Sequence, residues 1–404
     1  GQPGPVAVLY GAQGLAGSVE PDSRPRLYAT GPYLPNRPPP ADPARVAAAA
    51  KIIGGAKAPV VIAGNGVRIS DAYEALQRFA EAAGAPVVTT PSGKGVIAET
   101  HPLALGVFGT FGIAAANAAV AEADVVIVAG SKLGASDTAR ENRALLDPAR
   151  QTFIQIDVET LNASWTFPAE HVLIGDAGAT LDQLREALGA APDRLSRGQA
   201  RVEKIRQANG YFDSPAYGSD NQPIMPQRVI AELSRNLPAD SIVTCDAGEN
   251  RILMTHFYQT RSAGGFLQAA GAGPMGFAIP AALAAKLVHP ERVVAAVCGD
   301  GGFAMTMNGL MSALEHKIPI IVVVFNNHAL GWVYHGGGAF AAEFNDFDHA
   351  AIARAMGCND VRVTDPADLG QAIADAARAE TPTVIDVVTS LDVSFRDVTS
   401  PLAA

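Results

Sequence analysis

The stretch Val293-Val294-Ala295-Ala296-Val297-Cys298-Gly299-Asp300-Gly301-Gly302 is followed, after a helical segment from Asn308 to His316, by Ile320-Ile321-Val322-Val323-Val324-Phe325-Asn326-Asn327. Uninterrupted apolar runs of strand length on either side of a helix read as a β-α-β unit whose strands are buried on both faces. Such crossovers are right-handed, so the two strands run parallel and end at the same edge of the sheet. That carboxyl edge is where open α/β sheets bind ligands. The first strand runs into a tight acidic turn and the second ends in two amides, so Asp300 and Asn327 are expected in one site.

Magnesium takes hard oxygen ligands in an octahedron, usually only one or two from side chains, and leaves the rest to phosphate and water. An Asp carboxylate, an Asn amide oxygen and a nearby backbone carbonyl meet that demand. Glycines at 299, 301 and 302 let the backbone approach phosphate oxygens and offer open N–H donors. Gly299-Asp300-Gly301 alone is ordinary turn chemistry, and Asn326-Asn327 alone an ordinary strand-end cap. Each ending a buried parallel strand across one helix, they point together to a diphosphate held by metal.

The rest of the chain extends this architecture. At about 150 residues per domain, 404 residues suggest two or three domains. Residues 1–40 are rich in Gly and Pro around one apolar run, Val6 to Tyr10, and read as a single strand and a linker left from another domain. From Pro43, helices (Ala44 to Gly54, Asp71 to Ala83) alternate with strands (Pro59 to Ala63, Pro86 to Thr89). Further strands follow at Val125 to Ala129 and Phe153 to Ile156, then a helix from Ala179 to Leu188, giving a central α/β domain over 41–190. Residues 191–225 read as a charged helix and linker. Alternation then resumes over 226–404 with strands at Ser241 to Cys245, Arg292 to Cys298, Pro319 to Phe325 and Thr383 to Val388, and a tail after them. The fold class expected is α/β, with two doubly wound parallel-sheet domains.

A formal charge of -10 and a pI near 5.3 argue against a nucleic-acid or anionic-membrane partner, because both require basic patches. Cys245, Cys298 and Cys358 are far apart in small or apolar surroundings and read as core thiols. No apolar run reaches membrane-spanning length, and the first residues carry no basic-then-apolar leader. The cytoplasm is the expected compartment.

Upstream of the acidic turn, Gly271-Ala272-Gly273-Pro274-Met275-Gly276 matches G-x-G-x-x-G, with Asp300 at a fitting distance for a ribose-binding acid. The alternative is therefore an NAD- or FAD-type dinucleotide fold, in a protein that binds without catalysing. Two features oppose it. The preceding residues, Gly264 to Ala270, make a weak strand, and a ribose-binding acid needs no glycine on either side.

Taken together, the strings Asp246-Ala247-Gly248-Glu249-Asn250-Arg251, Gly271 to Ala282, Gly299-Asp300-Gly301-Gly302-Phe303 and Asn326-Asn327-His328-Ala329-Leu330-Gly331 resemble the thiamine-diphosphate-dependent enzymes, on their acetolactate synthase-like branch. Lys57 to Gly66 and Ile156-Asp157-Val158 resemble the same family's central domain. Gly1-Gln2-Pro3-Gly4-Pro5-Val6 looks like the last strand of its pyrimidine-binding domain. The remainder of that domain, with the cofactor-activating Glu, is expected to be absent, and Glu20 does not match it.

The resemblance implies thiamine diphosphate and Mg as cofactors, and decarboxylation or carboligation of a small-molecule 2-oxo acid. It implies a homo-dimer or homo-tetramer in the full-length protein, each active site being shared between two subunits, and a fragment inactive alone. The implied cofactor-binding residues are Glu249, Asn250, Gly273, Met275, Gly299, Asp300, Gly301, Gly302, Asn327, Ala329, Leu330 and Gly331. Among these, Asp300 and Asn327 would bind the metal through side chains and Ala329 through its carbonyl. Gly301 and Gly302 would donate backbone N–H groups to the diphosphate. Met275 would act catalytically, as the wedge that bends the cofactor, with the Gly273 carbonyl holding its amino group.

Three departures stand out. Acetolactate synthases usually carry Gln then Trp where this chain has His335 and Gly336, and that Trp shapes the second-substrate pocket. Relatives commonly carry a neutral amide at position 249. A carboxylate there, about 6 Å from a phosphate charge, would be opposed by roughly 3 kcal/mol at an effective dielectric near 20. Glu249 is thus expected to turn away, pair with Arg251 or stay protonated. Flavin-binding relatives have an Asp-Arg pair after the strand ending at Gly130, where this chain reads Ser131 to Asp137. FAD stays open without support, and a nucleotide-free central domain is expected.

Overall fold

The computed structural model describes residues 4–24, 29, 38–269 and 271–403. Its strands are β1 (Pro59–Ala63), β2 (Val87–Thr89), β3 (Ala104–Val107), β4 (Val125–Ala129), β5 (Thr152–Asp157), β6 (His171–Ile174), β7 (Ile242–Cys245), β8 (Phe266–Gln268), β9 (Val294–Gly299), β10 (Ile321–Asn326), β11 (Asn359–Val363) and β12 (Thr383–Val388). They form two six-stranded sheets, ordered β3-β2-β1-β4-β5-β6 and β11-β12-β10-β9-β7-β8. Every pairing is parallel. Helices cover both sheets, which is the expected fold class.

Burial explains why these runs are strands. Val322, Val323 and Val324 in β10 are all 0% exposed. Each such side chain contributes about 1.5–3 kcal/mol on leaving water. The helices show the complementary pattern. In Tyr73–Ala83 the buried residues Ala75, Leu76, Phe79, Ala80 and Ala83 share one face. That helix stops at Gly84, whose φ of 61° is a left-handed cap that a β-carbon would strain.

In each sheet the chain winds first to one side and then crosses to the other. In the first, β1 leads outward to β2 and β3, and the chain returns to β4 on the other side. In the second, β7 leads outward to β8 before the chain crosses to β9. The carboxyl ends of β7 and β9 therefore flank the switch point, and Asp246 and Asp300 follow those strands directly.

The two halves of the chain meet at a buried ion pair that lies within the first. Lys94 Nζ lies 2.7 and 2.8 Å from the Glu99 carboxylate oxygens, and both side chains are 0% exposed. Glu99 Oε2 also accepts the Thr260 N–H at 2.7 Å, and Arg68 donates to the carbonyls of Lys94 and Phe266. Val202 and Ile205 of the charged helix Asp193–Asn209 join the first core. All three cysteines are buried and free.

Several expectations need correction. Val6 to Tyr10 forms no strand and is exposed, Leu9 at 95%, because no strand among the described residues takes up its backbone hydrogen bonds. Gly1, Gln2 and Pro3 of the expected remnant strand lie outside the described residues, and Glu20 is exposed. The acidic turn is instead the first turn of a helix, Asp300–Thr306, capped by Gly299. Two helices, that one and Gly309–Glu315, therefore separate β9 from β10. Strands β3, β6 and β11 and the helices Ala114–Ala121 and His349–Met356 were not anticipated. Among the described residues no helix is long and apolar enough to cross a membrane.

Candidate active site

Three strand ends build the site. Asp246, after β7, is fully buried. Its Oδ1 accepts the N–H groups of Ala247 at 2.9 Å and Phe277 at 3.1 Å, and its Oδ2 accepts that of Gly276 at 3.0 Å. The carboxyl is pushed above its usual range by burial, and those three N–H groups pull it back. Asp246 thereby ties the loop carrying Met275 to the end of β7. Asp300, after β9, is also buried; its Oδ2 accepts the Asn327 N–H at 3.2 Å and its Oδ1 lies 3.1 Å from His349 Nε2. Asn327 follows β10, and its Oδ1 accepts the Ala329 N–H at 3.2 Å.

Asp300 and Asn327 open onto a cavity of about 470 Å³. Every residue of the expected cofactor-binding set lines it: Glu249, Asn250, Gly273, Met275, Gly299, Asp300, Gly301, Gly302, Asn327, Ala329, Leu330 and Gly331. A β-carbon on Gly301 would fall 2.6 Å from Met275 Cε and 2.7 Å from Leu330 Cδ2. One on Gly302 would fall 2.4 Å from Asp246 Oδ2. The glycines thus form a cradle against which the methionine tip rests. Met275 lines this space half-buried, outside the hydrophobic core clusters.

Topology opposes the dinucleotide alternative. The glycine loop 271–276 follows β8, an edge strand, and β7 stands between β8 and the strand that leads to Asp300. A dinucleotide fold needs that loop after an inner strand whose neighbour carries the acid.

Two family models match the chain: Thiamine pyrophosphate enzyme, central domain, over residues 46–184, and Thiamine pyrophosphate enzyme, C-terminal TPP binding domain, over residues 246–387. A probable acetolactate synthase large subunit from Methanocaldococcus jannaschii is 33% identical over 359 residues, covering 86% of this chain and 60% of the relative. The chain belongs to the thiamine pyrophosphate enzymes, on their acetolactate synthase-like branch. Putative thiamine pyrophosphate-containing protein YdaP of Bacillus subtilis is 30% identical, covering 84% of this chain and 58% of its own length. Sulfoacetaldehyde acetyltransferase of Castellaniella defragrans is 29% identical, with 82% and 60% covered. The chain thus spans about three fifths of the length of these curated relatives.

For a thiamine pyrophosphate enzyme the donor set fits the metal and the cofactor. Asp300, Asn327 and the Ala329 backbone stand together on the cavity wall beside Gly301 and Gly302. Among the described residues no group of three or more His, Cys, Asp and Glu side chains could hold a metal. A site with a single carboxylate is nonetheless what magnesium uses when phosphate and water complete its shell.

Of the alternatives expected for Glu249, pairing with Arg251 is not the one taken. Its Oε1 accepts the Phe395 N–H at 2.9 Å and lies 2.9 Å from His335 Nδ1. Its Oε2 is buried without a partner. Burial pushes this carboxyl up, opposed by the Phe395 N–H and by His335. Arg251, also on the cavity wall, is itself lowered by burial.

Sequence reasoning missed part of the wall. Thr389, Ser390 and Val393 line the cavity from the tail, and Ser136 lines it from the central domain. Trp332, also on the wall, stacks on Phe395 of the tail with ring centroids 4.2 Å apart. For Thr389, Ser390 and Val393 the sequence signal was position: residues just beyond β12 must leave the same sheet edge as Asp300.

Proposed function

We propose that the chain binds thiamine diphosphate with magnesium in this cavity and serves the decarboxylation or carboligation of a 2-oxo acid. The observation that carries the proposal is the convergence of Asp300, Asn327, Ala329, the Gly301-Gly302 cradle and Met275 on one cavity at the switch point of the second sheet. The names of the relatives, chiefly acetolactate synthases, support the reaction class.

In this proposal Asp300, Asn327 and the Ala329 carbonyl hold the metal, while the N–H groups of Gly301 and Gly302 hold the diphosphate. Met275 would support the bent conformation of the cofactor, and the Gly273 carbonyl would accept from its amino group. The bound cofactor supplies the electron sink on which the 2-oxo acid is cleaved or joined. The protein's part is orientation and exclusion of water, with Trp332 and the tail lining the cavity. A pyrimidine-binding domain, on this or another chain, completes each site with an activating Glu, in a homo-dimer or homo-tetramer.

The test is carbon dioxide release from pyruvate and from aryl or branched 2-oxo acids, with saturating thiamine diphosphate and magnesium. It is run with the chain alone and with a pyrimidine-binding domain of a relative added. Turnover appearing on addition supports the proposal. No consumption of any 2-oxo acid in either arm, with the cofactor bound, refutes the reaction assigned here.

A further inference from the structure

Asp300 is held from behind by a buried chain that crosses three neighbouring strands. Asp386, on β12, is fully buried. Its Oδ1 accepts from Asn326 Nδ2 at 2.9 Å, on β10, and its Oδ2 accepts the backbone N–H of His349 at 3.1 Å. That bond fixes the first residue of the helix His349–Met356. The imidazole then reaches Asp300, which follows β9, with Nε2 3.1 Å from Oδ1. The His349 side chain is 5% exposed, and its ring packs edge-on against Phe303 at 5.1 Å between centroids.

Geometry also selects what the ring does. Nε2 faces an oxygen that accepts, so the bond requires a proton on Nε2. Nδ1 is buried with no partner, where an unpaired acceptor is the less costly arrangement than an unpaired donor. His349 lies behind Asp300 and does not line the cavity. It can act on a ligand only through Asp300.

We propose that His349 is the positioning residue for the metal-binding carboxylate, held in place by Asp386 and fixing the rotamer of Asp300. This rests on the magnesium site proposed above. Asp300 receives one donor on each oxygen, His349 on Oδ1 and the Asn327 N–H on Oδ2. Its plane is thereby set, and one lone pair on each oxygen is left for the cation. Ligand carboxylates oriented this way by outer hydrogen bonds lose about 10–100-fold in metal affinity when the partner is removed.

The experiment measures magnesium affinity of the full chain at saturating thiamine diphosphate, and thiamine diphosphate affinity at saturating magnesium, both by calorimetry. Thermal midpoints are recorded alongside. His349→Phe fills the space without a donor, and His349→Asn is polar but too short to reach Asp300. Both should weaken magnesium by about 10–100-fold. Saturating magnesium should restore parental cofactor affinity in both. His349→Gln, whose amide N–H can take the place of Nε2–H, should bind magnesium like the parent. Parental magnesium affinity in either loss variant overturns the proposal. So does a loss that saturating magnesium fails to reverse, which would mark a structural role. A parent chain that binds no thiamine diphosphate with magnesium would overturn the site assignment itself, separately from His349.

Discussion

Glu249, on the wall of the cavity, meets His335 behind it, with Oε1 2.9 Å from Nδ1. The acid and the base compensate each other. A lone carboxylate beside a diphosphate would oppose binding, whereas one bonded to His335 and the Phe395 N–H presents less negative charge to the cavity.

Glu249→Gln should therefore tighten binding of magnesium and thiamine diphosphate. The sign follows from repulsion of the diphosphate: burial raises the Glu249 carboxyl above its ordinary range, so the parent is more protonated at acid pH, and the gain from Gln should be larger at pH 8 than at pH 5. Calorimetry at both pH values checks this. Equal affinities of parent and variant at pH 8 would contradict it.

Gly301 and Gly302 should respond differently to alanine. At Gly301 the new methyl meets only the tips of Met275 and Leu330, which can swing aside. Stability should change little while Met275 is displaced and cofactor binding suffers. At Gly302 it meets the Asp246 carboxylate, pinned by three N–H bonds, so Gly302→Ala should cost about 1–3 kcal/mol of stability. Urea denaturation separates the two.

Lys94→Ala leaves the buried Glu99 side chain without its cationic partner. The expected loss is about 3–5 kcal/mol, read by denaturant unfolding. Lys94→Ala paired with Glu99→Gln should recover part of that loss.

His256, behind the tail, is held down to about 4 by burial, with its ring nitrogen 3.3 Å from the Phe111 carbonyl. The unfolded chain takes up this proton near pH 6.5, while the folded chain resists until about 4. Stability present above pH 6.5 is therefore lost as pH falls through that window. The loss is at most about 3 kcal/mol, at ~1.4 kcal/mol per unit. His256→Gln should unfold less readily between pH 6 and 4, measured by thermal midpoint against pH.

The sheets were legible because strands buried on both faces read as unbroken apolar runs, as in β9 and β10. The site was legible because phosphate chemistry concentrates glycines and amides at strand ends. Edge and short strands carried no such signal: β11, Asn359–Val363, alternates polar residues on an exposed edge, and β3 contains Gly106. The helix Ala114–Ala121 is almost all alanine and valine, with no polar face to give it a period. Val6 to Tyr10 has strand composition but no neighbouring strand among the described residues. The bond from His349 to Asp300 spans 49 residues and depends on how a helix sits behind the sheet, which no local pattern encodes.

The most direct test is calorimetric titration of the chain with thiamine diphosphate, NAD and FAD, each with and without magnesium, repeated with Asp300→Ala. The account predicts one thiamine diphosphate per chain, bound only with magnesium, and no binding by a folded Asp300→Ala chain. Unchanged thiamine diphosphate affinity in that folded variant, or equal affinity without the metal, would contradict it.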